Sequence, residues 1–220
     1  MNRAFRIAYA AAAAAATVSG SAGGRRSAEI TKPLPIILLA ARVAAGARRR
    51  PVADTVALAA VLGFSAAGDR LMLQEEFERD DPATKDRYLR RGATSFAGAQ
   101  LSYAAAMWRA GGRPSVRTIA PRVGILAQSA TVLARHRPAL LPVLSTYGNT
   151  LATMSALASD VPSPQPRMRA GGWFFLLSDL AIINRRHLVA NPRLRMAGEA
   201  WVLASYFTAQ YLLIGGLADR

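Results

Sequence analysis

Residues 138–159 run for 22 positions without a charged side chain, in a chain of 220 residues that carries 28 Lys and Arg and 13 Asp and Glu. Three further windows, 7–24, 92–108 and 200–218, are uncharged over nearly the same length. A helix that crosses a bilayer needs roughly 20 mainly apolar residues, whereas a helix of a soluble core alternates apolar and polar faces every three or four positions. These windows show little such alternation. Four shorter or interrupted apolar stretches, about 30–47, 53–73, 116–134 and 170–184, read as helices of the same kind. The predicted fold class is all-α: a polytopic transmembrane bundle of about eight spans forming a single membrane domain.

Eight spans of ~20 residues use about 160 positions and leave few for loops. Arg and Pro mark the short connections, as in Arg48-Arg49-Arg50-Pro51 and Arg135-His136-Arg137-Pro138. One larger polar segment, 74–91, mixes Glu75, Glu76, Glu78, Asp80, Asp81 and Asp86 with Lys and Arg and reads as a solvated loop with at most a short surface helix. Arg3, Arg6, the alanine run and the small residues at 18–24 resemble a signal peptide. The uncharged stretch nevertheless exceeds the usual core of ~7–15 residues, so a retained first helix is favoured. A soluble alanine-rich bundle is the competing reading, supported by the mean hydropathy of +0.16. Such a bundle has no need of 22 consecutive uncharged residues.

The net charge is +15 and the sequence pI about 11.5. A nucleic-acid binder gathers its cations on one face among aromatic stacking partners, and no such face is visible. The Arg clusters sit at helix ends, where anionic membrane lipids are the natural partner. With no cysteine there is no disulfide scaffold, thiolate metal site or cysteine nucleophile. His136 and His187 lie in Arg-rich segments without metal-ligand spacing, so they read as surface residues, with no metal and no cofactor implied.

An ionisable group inside a span costs at least ~2.5 kcal/mol on insertion scales and is a functional candidate by default. Asp69 and Asp179 are the foremost such groups, each following an apolar run. Counting spans puts them on the third and seventh helices, each in the second half, and so in the same half of the bundle. Lys32 and Glu199, near the starts of the second and eighth helices, fall on that side too. Polar stripes at helical spacing point the same way: Phe96, Gln100, Tyr103 and Met107 on the fourth helix, Tyr147, Thr150 and Met154 on the sixth, and Glu199, Tyr206 and Gln210 on the eighth. The plainer role for any single Gln or Tyr is to knit helices together by hydrogen bonds.

The ordered set Lys32-Pro33-Leu34-Pro35, Gly68-Asp69, Phe96 through Gln100 to Tyr103, Tyr147 through Met154, Ser178-Asp179 and Ala209-Gln210 resembles the YhhN family of membrane lysoplasmalogenases. The resemblance runs from the second helix to the last, in the order and spacing of its parts. It implies an integral multi-pass hydrolase of the cell membrane that cleaves the vinyl-ether bond of a lysophospholipid substrate, giving a fatty aldehyde and a glycerophospho-alcohol. It further implies that Asp69 and Asp179 are the catalytic pair and that Lys32, Gln100, Tyr103, Tyr147, Tyr206 and Gln210 are substrate-binding. Relatives often carry a histidine where this chain has Gln100, which exchanges no proton near neutral pH. Vinyl-ether hydrolysis needs one acid and one base or anion, and two carboxylates in one low-dielectric site divide those roles as glycosidase carboxylates do. Lys32, at a helix start beside Pro33, is placed to meet the substrate phosphate or to snorkel to headgroups. The alternative function is a proton- or cation-coupled transporter, or a lipid-binding protein, that uses the same aspartates without bond cleavage.

Overall fold

Proline punctuates this chain at five helix starts, because its missing N–H costs nothing where the backbone donors have no intrahelical partner. The computed structural model describes residues 2–22, 24–78, 80–162 and 166–220, and every regular element among them is helical. The helices are α1 (Arg3–Ser21), α2 (Arg25–Thr31), α3 (Pro33–Ala45), α4 (Val52–Phe77), α5 (Pro82–Arg109), α6 (Val116–His136), α7 (Leu141–Asp160), α8 (Pro166–Leu188) and α9 (Pro192–Ala218). Between α2 and α3, Lys32 keeps helical dihedrals (φ −57°, ψ −35°), so the two form one rod interrupted at Pro33. Among the described residues eight rods therefore stand where eight helices were expected.

The rods are longer than the uncharged windows. α5 begins ten residues before position 92 and α8 continues to Leu188, since Arg, Lys and Glu are good helix formers that need no apolar face. Side-chain caps fix the starts: Asp81 accepts from the Ala83 N–H (2.9 Å), Asn191 from the Arg193 N–H (2.9 Å), and Ser115 and Thr118 form a capping box. Most of segment 74–91 is accordingly helix rather than loop, shared between α4 and α5. Its turn is held by Glu78, whose carboxylate accepts from the Asp80 and Asp81 N–H groups. Position 79 lies outside the described residues, as do 163–165 in the connection before α8 and position 23 of the small-residue stretch.

Among the described residues, length and apolar composition suffice for a membrane crossing in two helices, α4 and α9. The other helices described do not meet both conditions, α3 by its 13-residue length alone.

α4 packs along α5, α5 along α7, α7 along α8 and α8 along α9; α1 bridges α9 and α3, and α3 returns to α4. The rods so joined form a ring, with α6 outside it against α7 and α8. Two features hold α7, α8 and α6 together. A Cβ on Gly172 would come within 3.1 Å of the Ser155 backbone, so the bare glycine sets the α7–α8 approach. Arg122 of α6, only 1% exposed, donates to Ser155 Oγ (2.9 Å), Ser155 O (2.9 Å) and Ser159 Oγ (2.8 Å) and lies over the Trp173 ring. Hydrogen bonds and a cation–π contact thus satisfy a cation that has left water.

Candidate functional site

Asp69 sits in the second half of α4, just after Gly68, where a Cβ would strike the Phe96 ring at 2.8 Å. That glycine lets α5 close on α4 beside the carboxylate. Asp179 occupies the second half of α8. Both aspartates are half-buried, and both line one cavity of about 90 Å³ inside the ring. Lys32, Tyr147, Glu199 and Tyr206 line it as well. The four ionisable groups expected at one depth, Asp69, Asp179, Lys32 and Glu199, therefore share a single wall-to-wall space.

Each aspartate accepts from a tyrosine. Tyr206 Oη donates to Asp69 Oδ2 at 3.0 Å, and Tyr147 Oη donates to Asp179 Oδ2. The direction at Tyr206 is fixed from behind: Gln210 Nε2 donates to Tyr206 Oη (2.9 Å) and to Ser65 Oγ (3.0 Å), while Tyr103 Oη donates to Gln210 Oε1 (2.5 Å). With its lone pair engaged by Gln210, the Tyr206 hydroxyl gives its proton to Asp69. Beside Tyr147, Gln100 accepts from Thr150 Oγ1, while its Nε2 is buried without a partner.

Other acids around the cavity are paired with cations. Lys32 Nζ lies 2.8 Å from Glu76, Arg186 binds Glu75 through both guanidinium ends (3.0 and 2.6 Å), and Arg185 meets Glu199. Asp69 and Asp179 have no ion-pair partner among the described residues. Their remaining lone pairs face the cavity.

A second cavity, of about 690 Å³, opens between α5, α6, α7 and α8. It shares Met72, Phe96, Tyr147, Asp179, Arg185 and Arg186 with the first, and its walls are largely apolar, including Leu126, Leu133, Leu144, Leu151 and Ile183. Asp179 thus lines both cavities and Asp69 only the smaller. Lys85, Arg137, His187 and Arg195 line the larger one toward the ends of α5, α6, α8 and α9. Burial holds the His187 imidazole below its ordinary value, and His136, Arg137 and Arg186 push the same way.

Of the residues expected to bind substrate, Lys32, Tyr147 and Tyr206 line the small cavity, but Gln100, Tyr103 and Gln210 do not line either space. They stand one layer back: Tyr103 and Gln210 reach Asp69 through Tyr206, and Gln100 bonds Thr150 beside Tyr147. Lys32, expected toward a phosphate, is engaged by Glu76. His187, read as a surface residue, lines the larger cavity with its ring 5.1 Å from that of His136. Sequence reasoning passed over Glu75, Glu76, Arg185 and Arg186. A periodic signal was available: Glu76 follows Asp69, and Arg186 follows Asp179, by seven residues, two turns along one face. Among the described residues no group of three or more His, Asp or Glu side chains is arranged to hold a metal ion.

The model of the YhhN family matches residues 27–217 of the chain. Neither a curated protein nor a solved structure matches it.

Proposed function

The chain belongs to the YhhN family, and from that premise we propose that it is a multi-pass membrane hydrolase cleaving the vinyl-ether bond of lysoplasmalogen-type lysophospholipids to a fatty aldehyde and a glycerophospho-alcohol. The observation that carries the reading is the pair of cation-free aspartates facing one small cavity that adjoins a large apolar one. A cavity of about 90 Å³ accommodates a few waters, each taking ~30 Å³ in the liquid, and no alkyl chain. The larger space is of ligand size. The alkenyl chain therefore occupies the larger cavity and meets Asp179, while water waits beside Asp69.

The chemistry balances on these two groups. The protonated Asp179 carboxyl gives its proton to the alkene carbon remote from oxygen, leaving an oxocarbenium ion. Water, oriented by the Asp69 carboxylate, attacks the cationic carbon, and Asp69 takes the released proton to leave a hemiacetal. Asp69 then returns that proton to the glycerol oxygen as the C–O bond breaks, and the hemiacetal hydroxyl returns its proton to Asp179. The products are the aldehyde and the alcohol, and both carboxyls regain their starting states. Tyr147 and Tyr206 hold the carboxylates in place, as positioning groups must when a misplacement of about 1 Å costs ~10²-fold.

The membrane reading is supported by large apolar side chains left on the outer surface and by polar ones among those buried at the centre. Ile37, Val56 and Leu101 lie more than half exposed on the outside, while Gln100, Tyr103, Ser65 and Gln210 are buried at the centre. The most apolar window of α4 is only 33% buried. So much uncovered apolar surface suits lipid as the surrounding solvent, which supports the membrane reading.

The test is to reconstitute the purified protein with a lysoplasmalogen and measure aldehyde release. Stoichiometric aldehyde is expected, and Asp69→Asn and Asp179→Asn each lower its release by about 10²-fold or more with the fold intact. Proton-dependent flux into proteoliposomes without any aldehyde would replace this reading with a transporter.

A further inference from the structure

The larger cavity has an electrical gradient along it. Five cationic side chains and three acidic ones line it. The acids lie at the inner end: Glu76 and Asp179 also line the smaller cavity, and Glu75 is 1% exposed. The inner arginines are already matched, Arg186 by Glu75 and Arg185 by Glu199. Toward the mouth the balance changes. Arg195, at the start of α9, is exposed, and Lys85, in the first turn of α5, reaches only the Glu78 carbonyl at 3.4 Å; neither has a carboxylate partner among the described residues. Arg137 pairs with Asp86 at a side chain 39% exposed, a weak pair that a stronger anion displaces.

Resting on the hydrolase reading of Asp179, we infer that this mouth is a phosphate-ester subsite, in which Lys85, Arg137 and Arg195 receive the headgroup phosphate of the lysolipid while its chain runs inward past Asp179. Lys85 of α5, Arg137 just after α6 and Arg195 of α9 line the same cavity, and several cationic donors on one space are what charge-assisted binding of a phosphate requires. Its distance from the reacting bond is suitable. Arg186 lies two turns beyond Asp179 on the same face of α8, roughly 10 Å along the axis, and the mouth residues lie at that end of the helix. A glycerol unit and its ester oxygen separate phosphate from vinyl ether in the substrate, and flexible Lys and Arg side chains close the rest. Lys32 cannot take this role, because Glu76 occupies it and the cavity it lines is too small for a headgroup.

The inference is tested by binding, which needs no turnover. The probes are a saturated alkyl-ether lysophospholipid, which the enzyme cannot cleave, an alkylglycerol of the same chain length, and inorganic phosphate. The wild-type protein is expected to bind the phospholipid about tenfold or more tighter than the alkylglycerol, with inorganic phosphate alone binding weakly. In the double variant Lys85→Gln/Arg195→Gln the preference should shrink to about threefold or less, and Lys85→Arg/Arg195→Lys should restore it. An undiminished preference in the Gln variant, or none in the wild type, overturns the subsite. Binding of inorganic phosphate as tight as that of the phospholipid overturns its assignment to a lipid headgroup. If the wild type showed the expected binding but released no aldehyde from a lysoplasmalogen, the hydrolase reading would fall while the phosphate subsite stood.

Discussion

Asp69 accepts from a tyrosine that is itself held by Gln210, with Ser65 and Tyr103 behind it, and it faces only the small cavity. Asp179 accepts from Tyr147, whose neighbour Gln100 leaves its amide nitrogen without a partner, and it faces both cavities. The first carboxylate is braced and enclosed; the second stands at a junction. The contrast shows how two chemically identical groups acquire separate tasks: access to the chain-sized space puts Asp179 against substrate, and enclosure leaves Asp69 with water.

The comparison breaks most sharply at the aspartates themselves. Asp179→Asn removes the proton donor and is expected to lower aldehyde release by about 10³-fold or more, and Asp69→Asn by about 10²-fold, in line with the worth of general acid–base groups. Neither change leaves a cation without its partner, so thermal unfolding should show no loss of stability. Equal losses of activity would remove the division of labour. Glu75→Gln gives the opposite pattern. It strands Arg186 beside a side chain that is 2% exposed in the wild type, and unfolding should register a loss of about 3 kcal/mol.

Smaller effects sharpen the same contrast. Leu144→Trp narrows the larger cavity and should raise the KM for long-chain substrates about tenfold, with a short-chain vinyl ether affected less. Tyr206→Phe leaves Gln210 with one fewer acceptor in a buried network and should cost about 1–3 kcal/mol of stability. Tyr147→Phe removes one bond to Asp179 and should act mainly on kcat, by roughly tenfold or less. Comparable stability losses in both tyrosine variants would show that the two aspartates are braced alike.

Much of this arrangement was legible in the sequence. The uncharged windows located the rods, and two isolated aspartates in apolar runs marked groups that the structure brings onto one cavity. Periodicity gave the facing residues Tyr147 and Tyr206, because helical spacing fixes direction around an axis. It did not give depth: Gln100, Tyr103 and Gln210 share those faces but lie behind the tyrosines, and only packing between neighbouring helices sets that order. Glu75 and Glu76 read as loop because charge density stood in for solvent, although both are good helix formers and each finds a cation from another rod. Arg185 and Arg186 were hidden for the same reason, since an ion pair between positions 75 and 186 has no local signature.

The most direct test is to run the reaction in deuterium oxide and reduce the aldehyde at once for mass analysis. Protonation of the alkene carbon by a solvent-equilibrated Asp179 carboxyl places one deuterium on the carbon next to the carbonyl in the wild-type product, and Asp179→Asn gives no such product above background. An aldehyde formed without that deuterium, or formed at the wild-type rate by Asp179→Asn, would contradict the assignment.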